Sequence, residues 1–371
     1  MKPIRRSDRV VRFVRREWVL GLSLSTVVIF TLFGDKFYAD MANPFGLFVV
    51  FAWLFGVVLA SCLSVVRHAD RLAEALGQPY GTLILTLSVT AIEVMSISAV
   101  MLHGANNPTL VRDTLFSVVM IILGGMGGVS LLVGGWRHRE QHYNLQGANT
   151  YLGVIIPLAV LNLILPNYTT TTSGPTLSLM QQIFLILTSL GLYASFLAIQ
   201  TGRHRSYFAG EDEVAAHDGG QISIPRHAIL LVAYMLPIAL LAEELARPID
   251  YLIETLSLPG ELGGVVIAII VATPESISAV RSAMSNHLQQ AVNIFLGSVL
   301  STIGLTVPVM LAVSYFTGHV VTLGLMGANS VLLLLTLAVS VVTFASGRTN
   351  VIQGAVHIVL FGAFVLLMVQ G

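Results

Sequence analysis

Two acidic residues lie near the middle of long apolar segments of the chain. Glu93 lies within residues 79–102, and Glu275 lies within residues 261–283. A carboxylate at the centre of a membrane costs at least roughly a few kcal/mol, so such a residue usually has a function. Its hard oxygen atoms suit calcium or sodium, and they can also take up protons. The two glutamates therefore indicate cation and proton binding at membrane depth, with a purely structural, protonated pair of carboxyl groups as the alternative.

The two glutamate segments also resemble each other. At an offset of 182 residues Glu93 aligns with Glu275, and the glycine, valine and serine around it align with identical residues. Many transporters consist of internal repeats that meet at an ion site near the middle of the bilayer. We therefore predict an internal repeat in which each half contributes one glutamate to a shared site.

The composition is that of a polytopic membrane protein. The chain has 371 residues, of which 55 % are hydrophobic and only 10 % are charged, whereas a soluble protein has roughly a quarter charged residues. The single cysteine, Cys62, excludes an internal disulfide framework and a cysteine metal cluster. No HExxH motif or pair of intramembrane aspartates is present, which argues against an intramembrane hydrolase. We expect a transporter that needs no cofactor, not an enzyme.

Apolar segments of about 20 residues predict eleven transmembrane helices. They cover residues 18–34, 45–66, 80–102, 113–134, 149–166, 176–200, 226–246, 261–283, 288–315, 328–346 and 351–369. With the N-terminus inside, 16 of the 19 lysine and arginine residues fall on the inner side, as the positive-inside rule requires. The basic segment 1–17 is then a cytoplasmic anchor at the lipid bilayer, for which nucleic-acid binding is the weaker interpretation, and the C-terminus lies outside.

This count of helices places the two glutamate helices in opposite directions, so the repeats are inverted. The fold is an all-α bundle with two inverted five-helix repeats and one extra N-terminal helix. The predicted units are residues 1–44 with the tail and the extra helix, 45–200 with the first repeat, 201–225 with an acidic cytoplasmic linker, and 226–371 with the second repeat.

Further ligands should lie on the same helix face as each glutamate, three, four or seven residues away. Near the glutamates the sequence offers hydroxyl groups, and the helix after Glu275 adds the amide of Asn293, although each of these groups could instead bond within the protein. These possible ligands are Thr86, Thr90, Ser96, Thr273, Ser278 and Asn293. Pro274 has no N–H to donate to the carbonyl of Ile270, so that carbonyl is a further possible ligand.

Burial favours the protonated form of a carboxyl group, whereas a nearby cation favours its ionised form. The two glutamates can therefore hold two protons when the site is empty and release them when one divalent ion binds. Glycine-rich segments downstream of each glutamate, GGMGG at 124–128 and GSVLSTIG at 297–304, should allow close approach of helices.

Several segments together resemble one known family. They are SVVRHADRLAEALGQPYGTLILTLSVTAIEV (64–94), VRDTLFSVVMIILGGMGGVSLLVGG (111–135), ATPESISAV (272–280), NIFLGSVLSTIGLTVPV (293–309) and SGRTNVIQGAVH (346–357). The chain resembles bacterial calcium/proton and sodium/proton antiporters of the ChaA type, in the cation/calcium exchanger superfamily. The resemblance implies an inner-membrane exchanger whose ion site takes one acidic residue from each repeat, here Glu93 and Glu275.

The leading hypothesis is exchange of Ca²⁺ for protons, because two converging carboxylates favour a divalent ion. Plant and fungal members of the superfamily carry a Gly-Asn pair shortly before the key glutamate, whereas this chain has Val89 and Thr90 in one half, and Val271 and Ala272 in the other. The missing amides keep Na⁺ or K⁺ as the alternative cation. A passive cation channel that uses the same carboxylates is a third hypothesis, and it predicts flux without proton movement. The sequence makes no prediction of the oligomeric state.

Overall fold

The computed structural model describes residues 15–39, 41–76, 80–103, 107–172, 174–208, 223–256 and 258–370. Eleven long helices dominate these residues. They are α1 Trp18–Tyr38, α2 Pro44–Leu76, α3 Tyr80–His103, α4 Leu110–His138, α5 Leu145–Leu163, α6 Leu179–Arg203, α7 Ile224–Glu254, α8 Leu262–Met284, α9 Leu288–Thr317, α10 Gly327–Thr343 and α11 Val351–Gln370. Most of the basic tail and most of the acidic linker lie outside the described residues.

The predicted fold class is confirmed. Each of the eleven predicted spans coincides with one helix, and nine helices of the described residues are long and apolar enough to cross a membrane. The protein is therefore a multi-pass membrane protein. The boundaries of the two predicted repeats remain a prediction.

Two helices are longer than their apolar segments indicate. Helix α2 continues to Leu76, about three turns beyond its predicted end at residue 66, and helix α7 continues to Glu254, about two turns beyond its predicted end at residue 246. Both extensions contain Arg, Asp, Glu and Leu, so they are more polar than the apolar segments before them. Apolar length predicts only the part of a helix inside the bilayer. In 67–76 three alanines favour continuation of the helix, whereas 247–254 continues as a helix in spite of Pro248.

Local signals mark several helix ends. The side chain of Asn144 caps α5 by accepting a hydrogen bond from the Gly147 N–H at 3.0 Å. Ser178 and Gln181 form a reciprocal capping box at the start of α6. Helix α9 ends at Thr317 and is followed by Gly318, whose φ of 75° is the left-handed conformation that glycine adopts without strain.

Helices α4, α8 and α9 are the most buried of the membrane-length helices, whereas α1, α6 and α11 lie at the periphery. Helix α2 packs along α7, and both of them contact α3. Helix α8 contacts α2, α3, α4 and α9, so both glutamate helices belong to the centre of the bundle.

The glycines of α4 allow close packing against α11, as the sequence predicts. A Cβ atom on Gly128 would lie 3.0 Å from the backbone nitrogen of Ile358, and a Cβ on Gly124 would lie 3.3 Å from that of Phe361. On the partner helix, a Cβ on Gly354 would overlap with the backbone nitrogen of Leu132. Backbone contacts this close are possible only where neither helix has a side chain in between.

Residues 67–76, 138–145, 203–208, 284–288 and 344–350 lie at one end of the bundle, where a cavity opens, and this end is named the cavity face. On this face Gln141–His142 pairs in antiparallel fashion with Arg348–Thr349, which joins the connection between α4 and α5 to the connection between α10 and α11.

Candidate functional site

Glu93 of α3 is completely enclosed, with no exposed surface. The hydroxyl of Thr302 on α9 donates a hydrogen bond to its Oε2 at 2.9 Å. Thr306, one turn further along the same side of α9, lies close to this carboxyl group. Glu93 is thus bound to a helix that lies more than 200 residues further along the chain.

The second oxygen of Glu93 has no hydrogen-bond partner among the described residues. The hydroxyl groups of Thr90 and Ser96, one turn before and after Glu93 on α3, are equally buried and without a partner, and so is that of Thr306. Buried polar atoms without a partner are rare in proteins and call for an explanation such as an ion. Four such oxygen atoms on α3 and α9 are a suitable donor set for a hard cation.

Glu275 of α8 lies beside this pocket and is partly accessible. The hydroxyl of Ser298 on α9 donates a hydrogen bond to its Oε2. Glu93 and Asp70 both lie close enough for their negative charges to act on Glu275. The structure therefore places the two predicted glutamates on helices that contact each other, α3 and α8.

Helix α9 supplies the hydroxyl groups for both glutamates. Ser298, Thr302 and Thr306 follow one another at intervals of four residues, and Thr302–Thr306 forms a π-helical segment. π-Helical turns often occur at functional sites. Helix α4 also contains a π-helical segment, Met120–Gly127, but there it consists of apolar residues and glycines.

A cavity of about 530 Å³ leads from the cavity face to Glu275. Exposed Asp70 and Glu74 of α2 lie at its mouth together with Arg205. Thr86, Ser278 and Ser298 line it together with Glu275. Glu93 does not line this cavity, so the two carboxyl groups differ in access: Glu275 borders the cavity and Glu93 lies behind it.

The other predicted ligands divide into two groups. Thr86 and Ser278 lie in the cavity with Glu275, and Thr90 and Ser96 are buried beside Glu93. The carbonyl of Ile270 receives no backbone hydrogen bond from residue 274, because Pro274 lies inside α8.

Two predicted ligands have partners of their own. The hydroxyl of Thr273 donates to the carbonyl of Ile269 at 2.5 Å, within its own helix. Asn293 lines the cavity, but it donates to the carbonyl of Phe208 at 2.6 Å and accepts from Gln289 at 2.9 Å. Both side chains are thus engaged without an ion.

Comparison with known proteins agrees with this architecture. The profile of the family "Sodium/calcium exchanger protein" matches residues 46–202 and again residues 226–370. The putative ionic transporter y4hA of Sinorhizobium fredii is 43 % identical over 290 residues, which cover 77 % of this chain and 79 % of the relative. The sodium-potassium/proton antiporter ChaA of Escherichia coli is 36 % identical over 292 residues, with the same coverage of 77 % and 79 %.

The fold has a solved counterpart. The crystal structure of the selenium-substituted Ca²⁺/H⁺ antiporter protein YfkE superposes with a TM-score of 0.71 at 19 % identity and covers 96 % of this chain and 100 % of that chain. At this identity the likeness shows the fold alone. The family match extends over most of the chain and agrees with the resemblance seen in the sequence, and the chain therefore belongs to the sodium/calcium exchanger protein family of membrane ion transporters.

Proposed function

We propose that this protein is a secondary antiporter that exchanges Ca²⁺ for protons across the bacterial inner membrane, at a site built on Glu93 and Glu275. Its family consists of exchangers, and the solved structure with the same fold is named a Ca²⁺/H⁺ antiporter. The role of the two glutamates rests on their geometry in this chain.

The observation that carries the proposal is the unpartnered oxygen of Glu93 inside the protein. An ionised carboxylate with an unpaired oxygen in a buried site is costly. A proton bound to this oxygen removes the negative charge, and a cation bound to it balances the charge. The proton and the cation therefore compete for the same oxygen atom of Glu93, because either of them removes the free-energy cost of the unpaired charge.

Exchange follows when the same competition applies to both glutamates. In the empty site the two carboxyl groups hold protons, which also removes the repulsion between them. A divalent cation that binds between them balances both negative charges, and two protons leave. Thr302 and Ser298 then donate to the ionised carboxylates, while Thr90, Ser96 and Thr306 offer further oxygen atoms to the cation.

Access to the site is from the cavity face. The carboxylates of Asp70 and Glu74 at the mouth attract cations, and Glu275 is the first intramembrane carboxylate on the way in. The distribution of lysine and arginine supports a cytoplasmic location of this face, with the N-terminus inside and the C-terminus in the periplasm.

Exchange of Na⁺ or K⁺ for protons is the second candidate. Apart from the two glutamates, the possible ligands are neutral hydroxyl groups. A site with so few negatively charged ligands also suits a monovalent cation. A relative with 36 % identity is named a sodium-potassium/proton antiporter. The alternative uses the same site and differs only in the ion.

Proton movement driven by cations tests the proposal. Everted membrane vesicles with a pH-sensitive dye receive calcium, sodium or potassium in turn, with the wild-type protein and with Glu93→Gln. We expect calcium to release protons with the wild type and not with the variant. Glu254→Gln, at an exposed position at the end of α7, is the matched control and should behave as the wild type.

Each other outcome has a definite meaning. Proton release on addition of sodium or potassium, but not of calcium, would mean that the exchanged cation is monovalent and that the exchange mechanism still holds. Cation uptake without any proton movement would indicate a passive channel. Proton exchange that persists in a Glu93→Gln, Glu275→Gln double variant would contradict the proposed site.

A further inference from the structure

A second group of buried titratable residues lies near the cavity face, away from the glutamate site. It consists of Glu17 at the start of α1, His68 of α2, and His227 and Tyr234 of α7. His68 is 1 % exposed and Glu17 is 4 % exposed. Neither histidine lines the cavity that leads to Glu275. The group joins α1, the helix outside the two matched segments, to the first helix of each segment.

The four side chains form a continuous hydrogen-bond chain. The Nδ1 atoms of His68 and His227 are 2.9 Å apart, and His68 Nε2 is 3.3 Å from Glu17 Oε2. Tyr234 donates its hydroxyl to the same glutamate oxygen at 3.2 Å, and Arg67 donates at 3.0 Å. The carboxylate of Glu17 does not cap its own helix; it is directed to the histidine.

The short Nδ1 to Nδ1 contact limits the number of protons that the histidine pair can hold. A hydrogen bond between these atoms needs one nitrogen with a proton and one without. In the neutral pair, His68 donates from Nε2 to Glu17, and His227 donates from Nδ1 to His68. One more proton still fits, on His227 Nε2. A second additional proton does not fit, because two N–H groups would then face each other at 2.9 Å.

The charges around the pair are unevenly distributed. Arg16, Arg71 and Arg226 act on His227, and Arg67 acts on His68. Glu17 is the acidic group that interacts with both histidines. If both histidines were charged, their two Nδ1–H groups would face each other, and the positive charges of the pair and of the nearby arginines would exceed the single negative charge of Glu17.

We propose that Glu17, His68 and His227 form a proton-binding site, separate from the glutamate site, whose full protonation opens the contact between α2 and α7 at the cavity face. Histidine is the side chain whose charge ordinarily changes between about pH 5 and 8. A change of charge on a histidine can alter the conformation of a whole protein when it favours one of two arrangements of a helix contact. Here the contact lies between the first helices of the two matched segments.

The distance between α2 and α7 tests the proposal without any transport measurement. Spin labels are attached to cysteines in place of Leu63 on α2 and Ile229 on α7, both exposed on the outside of the bundle, in a Cys62→Ala background. The distance is measured by double electron–electron resonance in lipid, without transported cations, from about pH 8 to about pH 4, because burial and the neighbouring arginines move the charge change of both histidines to lower pH. We expect a single narrow distance at the higher pH and a shift to longer distances at the lower pH.

Variants separate this site from the exchange site. In His68→Gln and in His227→Gln the shift should be lost, because glutamine can hydrogen-bond but does not take up a proton. His142→Gln, an exposed histidine on the same face, should keep the shift, and so should Glu93→Gln combined with Glu275→Gln. A wild-type distance that is constant with pH would overturn the proposal even if a histidine variant failed to fold. A shift that survives in both histidine variants, or that disappears in the glutamate double variant, would overturn it as well.

Discussion

Ser298 and Thr302 lie one turn apart on helix α9, and their hydroxyl groups donate to two different glutamates. Ser298 binds Glu275 of α8, and Thr302 binds Glu93 of α3 at 2.9 Å. A single helix thus connects the two carboxyl groups that the sequence places 182 residues apart.

Replacing Thr302 by valine should weaken cation binding, since valine keeps the shape and removes the donor to Glu93. A hydrogen bond to a charged group contributes about 1.5–3 kcal/mol, which corresponds to roughly a 10- to 100-fold rise in the apparent KM for the cation. The measurement is cation-dependent proton release from vesicles. Thr336→Val is the control, because that buried hydroxyl bonds to Leu332 within its own helix at 2.8 Å. Equal KM values for both variants would contradict the role of Thr302.

Cysteines at Ser278 and Ser96 should differ in reactivity from the cavity face. Ser278 lines the cavity, whereas Ser96 is 3 % exposed. A membrane-impermeant thiol reagent added on that side should label Ser278→Cys and leave Ser96→Cys unlabelled, as mass spectrometry can show. Native Cys62 is 1 % exposed and adds little background. Labelling of both positions at the same rate would mean that Glu93 and Glu275 have similar access.

The apparent affinity for the cation should fall as the medium becomes more acidic. Protons and the cation compete for the same carboxylate oxygens, so each competing proton raises the apparent KM by up to about tenfold per pH unit. A divalent cation that displaces two protons should give the steeper dependence. Initial rates at several pH values and cation concentrations provide the slope. A KM that does not change with pH, in the range where exchange occurs, would exclude the competition.

Gly354→Ala should destabilise the protein, because the new methyl group would overlap with the backbone of α4 near Leu132. Overpacking of this kind costs about 1–3 kcal/mol. The control is Gly362→Ala on the same helix, where nothing lies within 4 Å of the new methyl group, so alanine should be neutral or slightly stabilising. Thermal unfolding in detergent measures both variants. A Tm of Gly354→Ala equal to that of the control would show that the helices separate easily.

The sequence predicted the eleven helices and the two central carboxyl groups because both depend on local properties. A long apolar segment must cross the bilayer as a helix, and a lone glutamate within it is conspicuous. The predicted helix ends were less accurate, because α2 and α7 continue as polar helices for about three and about two turns outside the apolar region. The glycines of 124–128 were correctly associated with close packing.

The hydroxyl groups of α9 were missed as partners of the glutamates. Helical periodicity identifies residues on the same helix face as each glutamate, whereas Ser298, Thr302 and Thr306 approach the glutamates from another helix, on which only Asn293 was predicted as a ligand. Their spacing of four residues in an otherwise apolar helix was a usable signal. The chain of Glu17, His68 and His227 offered no such signal, because its members are separated by 51 and 159 residues.

The pairing of Gln141–His142 with Arg348–Thr349 has a mechanical consequence. The first strand belongs to the matched segment 46–202, and the second belongs to the matched segment 226–370. Backbone hydrogen bonds therefore pin the two segments together at one point of the cavity face. If one segment rotates relative to the other while this pairing stays intact, the paired residues remain nearly fixed. The helix ends at the opposite membrane surface, which lie furthest from the pairing, then move by the greatest distance.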